Sequence, residues 1–306
     1  MTTYLIRRFL LALPVLLITA FLVFLALHLS PGDPVEVIVG PIAPPEVREA
    51  VRQKLGLDQP LPIQFFRYLS NVAQGDLGQS ILNKRDVSEL IAQKLPVTVE
   101  LGATAFAITY LLGIPLGTLA ALKRNTFLDW FTMIMALLGV SVPAFWLGLL
   151  LMYMFAVNFQ LLPPTGYGEL RHLVLPALAL GLPYVGRVAR ITRSAMLEVI
   201  GQDYIRTARA KGLRELGVVF RHALRNSLIP IISLMGLDFG YILGGSVVIE
   251  HVFARAGVGD MIVRSINSRD FPVLQGCMFV LTIGIILGNI LADIAYVVVD
   301  PRIRHT

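Results

Sequence analysis

Long uncharged apolar runs dominate the pattern of hydrophobic and polar positions along the chain. Three of them contain no Asp, Glu, Lys or Arg, namely 9–29, 101–122 and 131–157. Two more, 228–249 and 271–299, are each interrupted by one aspartate, Asp238 in the first and Asp293 in the second. Because a helix of about 20 mainly apolar residues crosses the hydrocarbon core of a bilayer, these runs predict five membrane-spanning helices.

A sixth apolar run begins at Leu173 and meets Arg187 after only 14 residues. It can span a membrane if Arg187 and Arg190 extend their charged ends to the membrane surface. We expect it to be the fourth of six spans, and we expect Pro143 to kink the third. The first run has 21 residues, more than the roughly 7–15 apolar residues of a cleaved signal peptide, so it is expected to stay as an anchor.

Composition excludes a soluble domain. The chain has 306 residues, of which 56% are hydrophobic and 15% are charged, with a mean hydropathy of +0.72, whereas soluble domains carry roughly 45–50% apolar and about 25% charged residues. The single cysteine, Cys277, excludes an internal disulfide and any zinc site built on several thiolates. We interpret the net charge of +6 as the mark of a cytoplasmic membrane face, not of nucleic-acid binding.

The placement of basic residues predicts the orientation in the membrane. With the N-terminus inside, the cytoplasmic segments carry 15 Lys and Arg residues, whereas the two short outside loops carry four, namely Arg171, Arg255, Arg264 and Arg269. The outside loop at 30–98 is long enough to be exempt from this rule. Both termini are therefore expected in the cytoplasm.

The 30–98 segment between the first two spans carries helical periodicity in two pieces. Apolar residues recur at helical spacing in each piece: Val47, Ala50, Val51 and Leu55 before Gly56, then Val87, Leu90, Ile91 and Leu95. This pattern predicts a small folded extracytoplasmic cap. We interpret it as a docking surface, and the alternative is a spacer that covers the helix ends.

The cytoplasmic loop at 187–227 contains nine basic and three acidic residues. Within it, residues 203–211 have the composition of a short helix, with Asp203 at its start, Lys211 at its end and Gly212 able to take a positive φ. Two turns are too short to be stable alone in water, so the helix must pack on something. We expect Ala208 to let it seat in a groove of a partner; the alternative is a loop lying on lipid headgroups.

This loop resembles a motif of a known family. Residues 204–230, YIRTARAKGLRELGVVFRHALRNSLIP, are similar to the EAA loop of binding-protein-dependent ABC importers in the dipeptide/oligopeptide branch. Ala208 and Gly212 match the pattern, whereas Arg206 and Thr207 stand where Glu and Ala are expected. Further resembling segments follow in order along the chain: 31–34 (PGDP), 55–62 (LGLDQPLP), 75–80 (GDLGQS), 95–96 (LP), 139–146 (GVSVPAFW), 257–259 (GVG), 269–272 (RDFP) and 300–304 (DPRIR).

The resemblance implies an all-α membrane protein with six transmembrane helices in a type I ABC importer-like permease architecture. Its parts would be the N-terminus and first span at 1–29, the cap at 30–98 and the permease core at 99–306. It would sit in a bacterial or archaeal cytoplasmic membrane. Its partners would be a second homologous permease, two cytoplasmic ATPases that bind ATP and Mg²⁺, and an extracytoplasmic solute-binding protein.

The resemblance also assigns site residues and a substrate class. The residues expected to couple to the ATPases are Tyr204, Arg206, Thr207, Ala208, Arg209, Ala210, Lys211 and Gly212. The expected substrates are di- or oligopeptides, with glutathione and nickel as alternatives within the same architecture. The mechanism is a hypothesis in which ATP binding closes the ATPases, the short helix moves as a lever, and the spans alternate access.

The chain itself is not expected to be an enzyme or to bind a cofactor. A Walker A motif needs Ser or Thr after its lysine, and none of the five lysines is followed by either. We expect no metal site, because His222 and His251 fall on opposite membrane faces in this topology.

Asp238 and Asp293 leave a different class of function open, a proton-coupled secondary transporter, because intramembrane carboxylates are costly and commonly functional. Asp238 has two further interpretations. In one it lines the translocation pathway, where it would favour a substrate with an amino group or another cation; in the other it pairs with a neighbouring helix.

Overall fold

The structure is a computed structural model that describes residues 2–29, 34–40 and 42–299. Within these ranges the chain is helical, with one isolated antiparallel bridge between Gln79 and Asp86 in place of a sheet. Residues 31–33 of the first resembling segment and the whole of the last one, 300–304, lie outside the described residues.

Thirteen helices follow one another in the described residues: α1 Thr2–Leu29, α2 Pro34–Val39, α3 Pro45–Leu55, α4 Leu61–Ala73, α5 Val87–Leu122, α6 Phe127–Ser141, α7 Ala144–Leu151, α8 Arg171–Ile200, α9 Asp203–Ala210, α10 Glu215–Gly217, α11 Arg225–Val252, α12 Val258–Ser268 and α13 Phe271–Val299. π-Helical turns at Met152–Asn158 and Val218–Leu224 continue α7 and join α10 to α11.

Four helical stretches are long and apolar enough to cross a membrane: Val87–Leu122, Arg171–Ile200, Glu215–Val252 and Phe271–Ala295. The apolar part of α1, Leu10–Leu25, is shorter. The protein is therefore a multi-pass membrane protein, and the count of six spans stays a prediction.

The expected third span is two helices and not one kinked helix. α6 and the helical stretch Ala144–Asn158 are bent by 106° at a short break, as in a broken span or a re-entrant loop. Val142 there is extended, with φ −93° and ψ 123°, because the ring of a following proline disfavours the helical region for the residue before it. Pro143 thus ends one helix and precedes the next.

Two further boundaries differ from the sequence-based expectation. Residues 87–95, expected as a separate piece of the cap, begin the long α5 and continue through Pro96 without a break. The loop expected at 187–227 is mostly helix, since α8 continues to Ile200 and α10 begins at Glu215. Helical hydrogen bonding thus persists where the sequence turns polar.

The described residues form two compact units. The first comprises 2–98 and Ala256–Gly284. Here α3 ends as the sequence predicts, at Gly56 with φ 69°, and Phe65 of α4 lies 5.3–5.4 Å from the rings of Phe21 and Phe24 of α1. Asp270, buried between α12 and α13, accepts hydrogen bonds from the Ser80 hydroxyl (2.5 Å) and the Ile81 N–H (3.1 Å). The carboxylate fixes the loop that leads into α5.

The second unit comprises Val99–Arg255 and residues 285–299, and α8 is its central helix. α8 packs against α6, α7 and α11, and glycines permit the close approach of backbones. A Cβ on Gly181 would lie 2.7 Å from the Ala105 carbonyl oxygen of α5, and one on Gly186 would overlap the Cα of Ala136 in α6. Small residues at such crossings are how helices associate in lipid.

The end of this unit near the start of α8 contains a buried arginine. Arg255, expected in a short outside loop, is 1% exposed and donates to Glu100 (2.8 Å) and to the His172 carbonyl (3.3 Å). The burial of this charged side chain is tolerated because a carboxylate pairs with it.

Gly186→Ala should destabilise the protein by about 1–3 kcal/mol, because the new methyl group meets the α6 backbone, which cannot move aside as a side chain can. Thermal unfolding of the detergent-purified protein measures the change. Gly244→Ala is the matched control, since a Cβ there has nothing within 4 Å, and its effect should be neutral or slightly stabilising. Equal destabilisation by both variants would contradict the packing described for α8.

Candidate functional site

The short helix predicted in the basic loop is present as α9, one residue shorter than expected. Lys211 caps its C-terminus and Gly212 follows with φ +77°. The Gly212 N–H donates to the Arg209 carbonyl (2.9 Å) and the Leu213 N–H to the Ala208 carbonyl (3.4 Å). Gly212 is required at this turn because a side chain is strained at that φ.

One face of α9 packs on its own chain. Ile205 is fully buried and Ala208 nearly so, in a cluster with residues of α5, α8 and the π-helical turn: Ala121, Met196, Val218, Val219 and Ala223. The expectation that Ala208 seats in a groove of a partner is corrected by this packing, because its methyl group faces inward. α9 therefore rests on the ends of two long helices, α5 and α8.

The other face of α9 is exposed. It presents six of the residues that the resemblance assigned to coupling: Tyr204, Arg206, Thr207, Arg209, Ala210 and Lys211. Arg209 donates to both carboxylate oxygens of Glu215 (2.7 and 3.1 Å), and these hydrogen bonds raise the pKa of Arg209. The pair closes the turn at 211–214 and so fixes the direction of α9 relative to α10.

The exposed face continues into an apolar surface that sequence reasoning missed. Leu213, Leu216 and Phe220 are exposed, with 73% of Leu216 and 60% of Phe220 accessible. Their spacing of three and four residues is a helical signal, but a sequence pattern does not show whether such a stripe faces inward or outward. The accessible surface of the loop is thus basic on α9 and apolar beside it.

A buried ion pair fixes the helix that leads into α9. Arg193 of α8 donates two hydrogen bonds to the buried Asp129 of α6 (2.5 and 2.7 Å), and Asp129 also accepts from the Asn125 N–H (3.0 Å). Two parallel bonds from a guanidinium to a carboxylate define the orientation of both groups. α8 is therefore held to α6 one turn before the cluster under α9.

Asp238 lies in the middle of α11 and is fully buried. It is ion-paired with Arg187 of α8 and accepts a hydrogen bond from the Tyr110 hydroxyl of α5 (2.7 Å). Of the two interpretations of Asp238, this geometry favours pairing with neighbouring helices. The expectation that Arg187 extends to the membrane surface is corrected by the same contact.

The Arg187 guanidinium also lies between two aromatic rings. Its Cζ is 5.2 Å from the Tyr184 ring centroid and 5.1 Å from that of Tyr241, distances at which a cation is attracted to an aromatic face. Asp293, the second carboxylate of the secondary-transporter alternative, lies on α13. Among the described residues, no group of three or more His, Cys, Asp or Glu side chains could hold a metal ion.

Comparison with protein families agrees with this architecture. The family model described as "Binding-protein-dependent transport system inner membrane component" matches residues 113–305. A second model, for the N-terminal part of such membrane components, matches residues 1–102. Together they account for nearly the whole chain.

Named relatives share its full length. The glutathione transport system permease protein GsiC of Salmonella paratyphi A is 45% identical over 305 residues, which cover 100% of both chains. A Brucella abortus protein, provisionally named as a peptide transport system permease protein, is 46% identical over 313 residues with the same coverage.

A solved structure shares the fold. A chain of the inward-facing MetNI methionine ABC transporter superposes with a TM-score of 0.57 at 19% identity, covering 69% of this chain and 96% of that chain. The chain belongs to the binding-protein-dependent transport system inner membrane component family, as an ABC importer permease of the peptide and glutathione branch.

Proposed function

We propose that this permease forms one half of a translocation pathway for di- or oligopeptides, together with a second homologous permease. Two cytoplasmic ATPases supply the energy, and a solute-binding protein delivers the peptide from the extracytoplasmic side. Relatives named for peptide and glutathione transport, 45–46% identical over their full length, support a substrate with peptide bonds. Nickel has no comparable support here.

One observation carries the coupling part of this proposal, the exposure of one face of α9 while the other is built into the permease. A helix that transmits movement has to be accessible to the ATPases that displace it and packed firmly against the long helices that move. The exposed residues of α9 meet the first condition, and the cluster of Ile205 and Ala208 with Met196 meets the second. Only two residues, Gly201 and Gln202, separate α9 from α8.

The proposed mechanism follows from these packing contacts. When ATP binding closes the ATPases, they displace α9, and the cluster beneath it transmits the displacement to the ends of α5 and α8. The pair of Arg193 with Asp129 makes α6 follow α8. Packed cores switch between discrete arrangements instead of deforming continuously, so the long helices move as units and access alternates.

Two substitutions on opposite faces of α9 test the coupling role. Ala210→Glu adds a charge on the exposed face, so the permease should reach normal abundance while peptide uptake and peptide-stimulated ATPase activity are lost. Ala208→Glu is the matched variant, since its carboxylate would be buried without a partner and the permease itself should be destabilised. Uptake and abundance are measured for the complete complex. Normal uptake with Ala210→Glu would refute the assignment of this face.

The proposed orientation is tested by labelling single cysteines in intact cells. Cys277 is buried and is first replaced by Ala. A cysteine at Gln74, exposed after α4, should react with a membrane-impermeant thiol reagent, whereas one at the exposed Arg214 should react only after the cells are opened. Equal labelling of the two positions in intact cells would contradict cytoplasmic termini with an extracytoplasmic 30–98 segment.

A further inference from the structure

Of the ion pair near the middle of the central helices, the arginine side chain and not the carboxylate retains exposed surface. Asp238 is fully buried, whereas the side chain of its partner Arg187 is 24% exposed. The Nε of Arg187 is buried and has no hydrogen-bond partner among the described residues. A buried N–H donor without an acceptor is costly, so the guanidinium has hydrogen-bonding capacity left for a ligand that accepts a hydrogen bond.

The depth of the site excludes a lipid headgroup as that ligand. Asp238 lies about 20 Å from either end of α11, at 1.5 Å per residue, and lipid phosphates lie at the membrane surfaces. A charged side chain at this depth faces protein or a water-filled cavity and not lipid tails, because hydrocarbon offers it no hydrogen bonds. We therefore expect the exposed part of Arg187 to face protein or a water-filled route and not lipid.

The accessible face of α11 has room for a ligand beside this arginine. Five exposed residues follow one another at spacings of four, four, three and four residues, which place them on a single helix face: Ser233, Leu237, Tyr241, Gly244 and Val248. Tyr241 is 56% exposed, and a Cβ on Gly244, one turn away, would have nothing within 4 Å. The tyrosine that flanks Arg187 thus borders open space.

The chemistry of the site selects a carboxylate. A guanidinium presents five N–H donors in a planar fork. Asp238 pairs with Nη2, which orients the group and leaves other N–H donors for a ligand. The rings of Tyr184 and Tyr241 also lie close to this group, with their centroids 5.2 and 5.1 Å from its Cζ. Planar donors in a fixed orientation match the two oxygens of a carboxylate.

We propose that Arg187, held by Asp238 and flanked by Tyr184 and Tyr241, is a subsite that binds the carboxylate of a peptide during translocation. This inference rests on the proposed function and specifies its substrate, a peptide with a free carboxylate. It reverses the charge preference expected from Asp238 alone, because that carboxylate is covered by the arginine.

The test compares uptake of a tripeptide and of its C-terminal amide by the complete transporter in lipid vesicles. Arg187→Gln combined with Asp238→Asn removes both charges and keeps hydrogen-bonding groups of similar size. Uptake of the free acid should fall about tenfold relative to the amide, the size expected for loss of a charge-assisted hydrogen bond. The same binding protein serves every variant, so its own preference cancels from the comparison with the wild type.

Two further variants separate binding from assembly. Arg193→Gln combined with Asp129→Asn removes the other bidentate pair of α8 and should lower uptake of both peptides alike. Tyr241→Leu leaves the ion pair intact and changes an exposed side chain, so this variant should assemble normally. It should lower uptake of the free acid relative to the amide by about threefold.

The outcomes distinguish this inference from the proposed function. An unchanged ratio in Tyr241→Leu and in the assembled double variant at Arg187 and Asp238 would overturn the carboxylate subsite and leave peptide import standing. Failure of the wild-type transporter to import either peptide would overturn the proposed function and, with it, the subsite.

Discussion

The close approach of α8 to its neighbours is the constraint on which the second unit depends. Lipid tails are as apolar as leucine, so helices in a membrane gain little from burying apolar surface against each other and associate through van der Waals packing and polar contacts. Gly181 and Gly186 allow that packing by bringing the α8 backbone against α5 and α6. At such distances, side chains on facing helices can also pair.

Polar contacts then hold α8 to the surrounding chain at three positions along its length. Arg255 donates to the His172 carbonyl near its N-terminal end, Arg187 pairs with Asp238 towards the middle, and Arg193 pairs with Asp129 nearer its C-terminal end. Breaking a buried pair leaves one charge unpaired, which costs more than forming the pair gains. Such contacts favour movement of α8 as one body, and α9 follows it directly. The same contacts that stabilise the fold thus suit the short helix to the coupling role proposed for it.

Sequence reasoning predicted what depends on local signals. Apolar length located the long helices, and the glycines at Gly56 and Gly212 marked helix ends at positive φ, as observed. It failed where the structure depends on the direction in which one helix follows another, or on contacts between residues distant in the sequence. Hydropathy does not register the 106° change of direction beside Pro143, because the residues on both sides are equally apolar. It also could not pair Arg187 with Asp238, since no local pattern joins residues on different helices.

Burial, and not the presence of a charged residue, decides which charge a membrane protein offers to a ligand. From sequence, an aspartate within an apolar run indicates a site for cations, and an arginine near a run's end indicates the membrane surface. In the folded chain the two are partners. The carboxylate is fully buried and contacts Arg187 and Tyr110, while the Arg187 side chain, which lies beside Tyr241, is 24% exposed. The polarity of the site is therefore set by which member of the pair lies deeper, and that depth is fixed by the packing of α8 against α11.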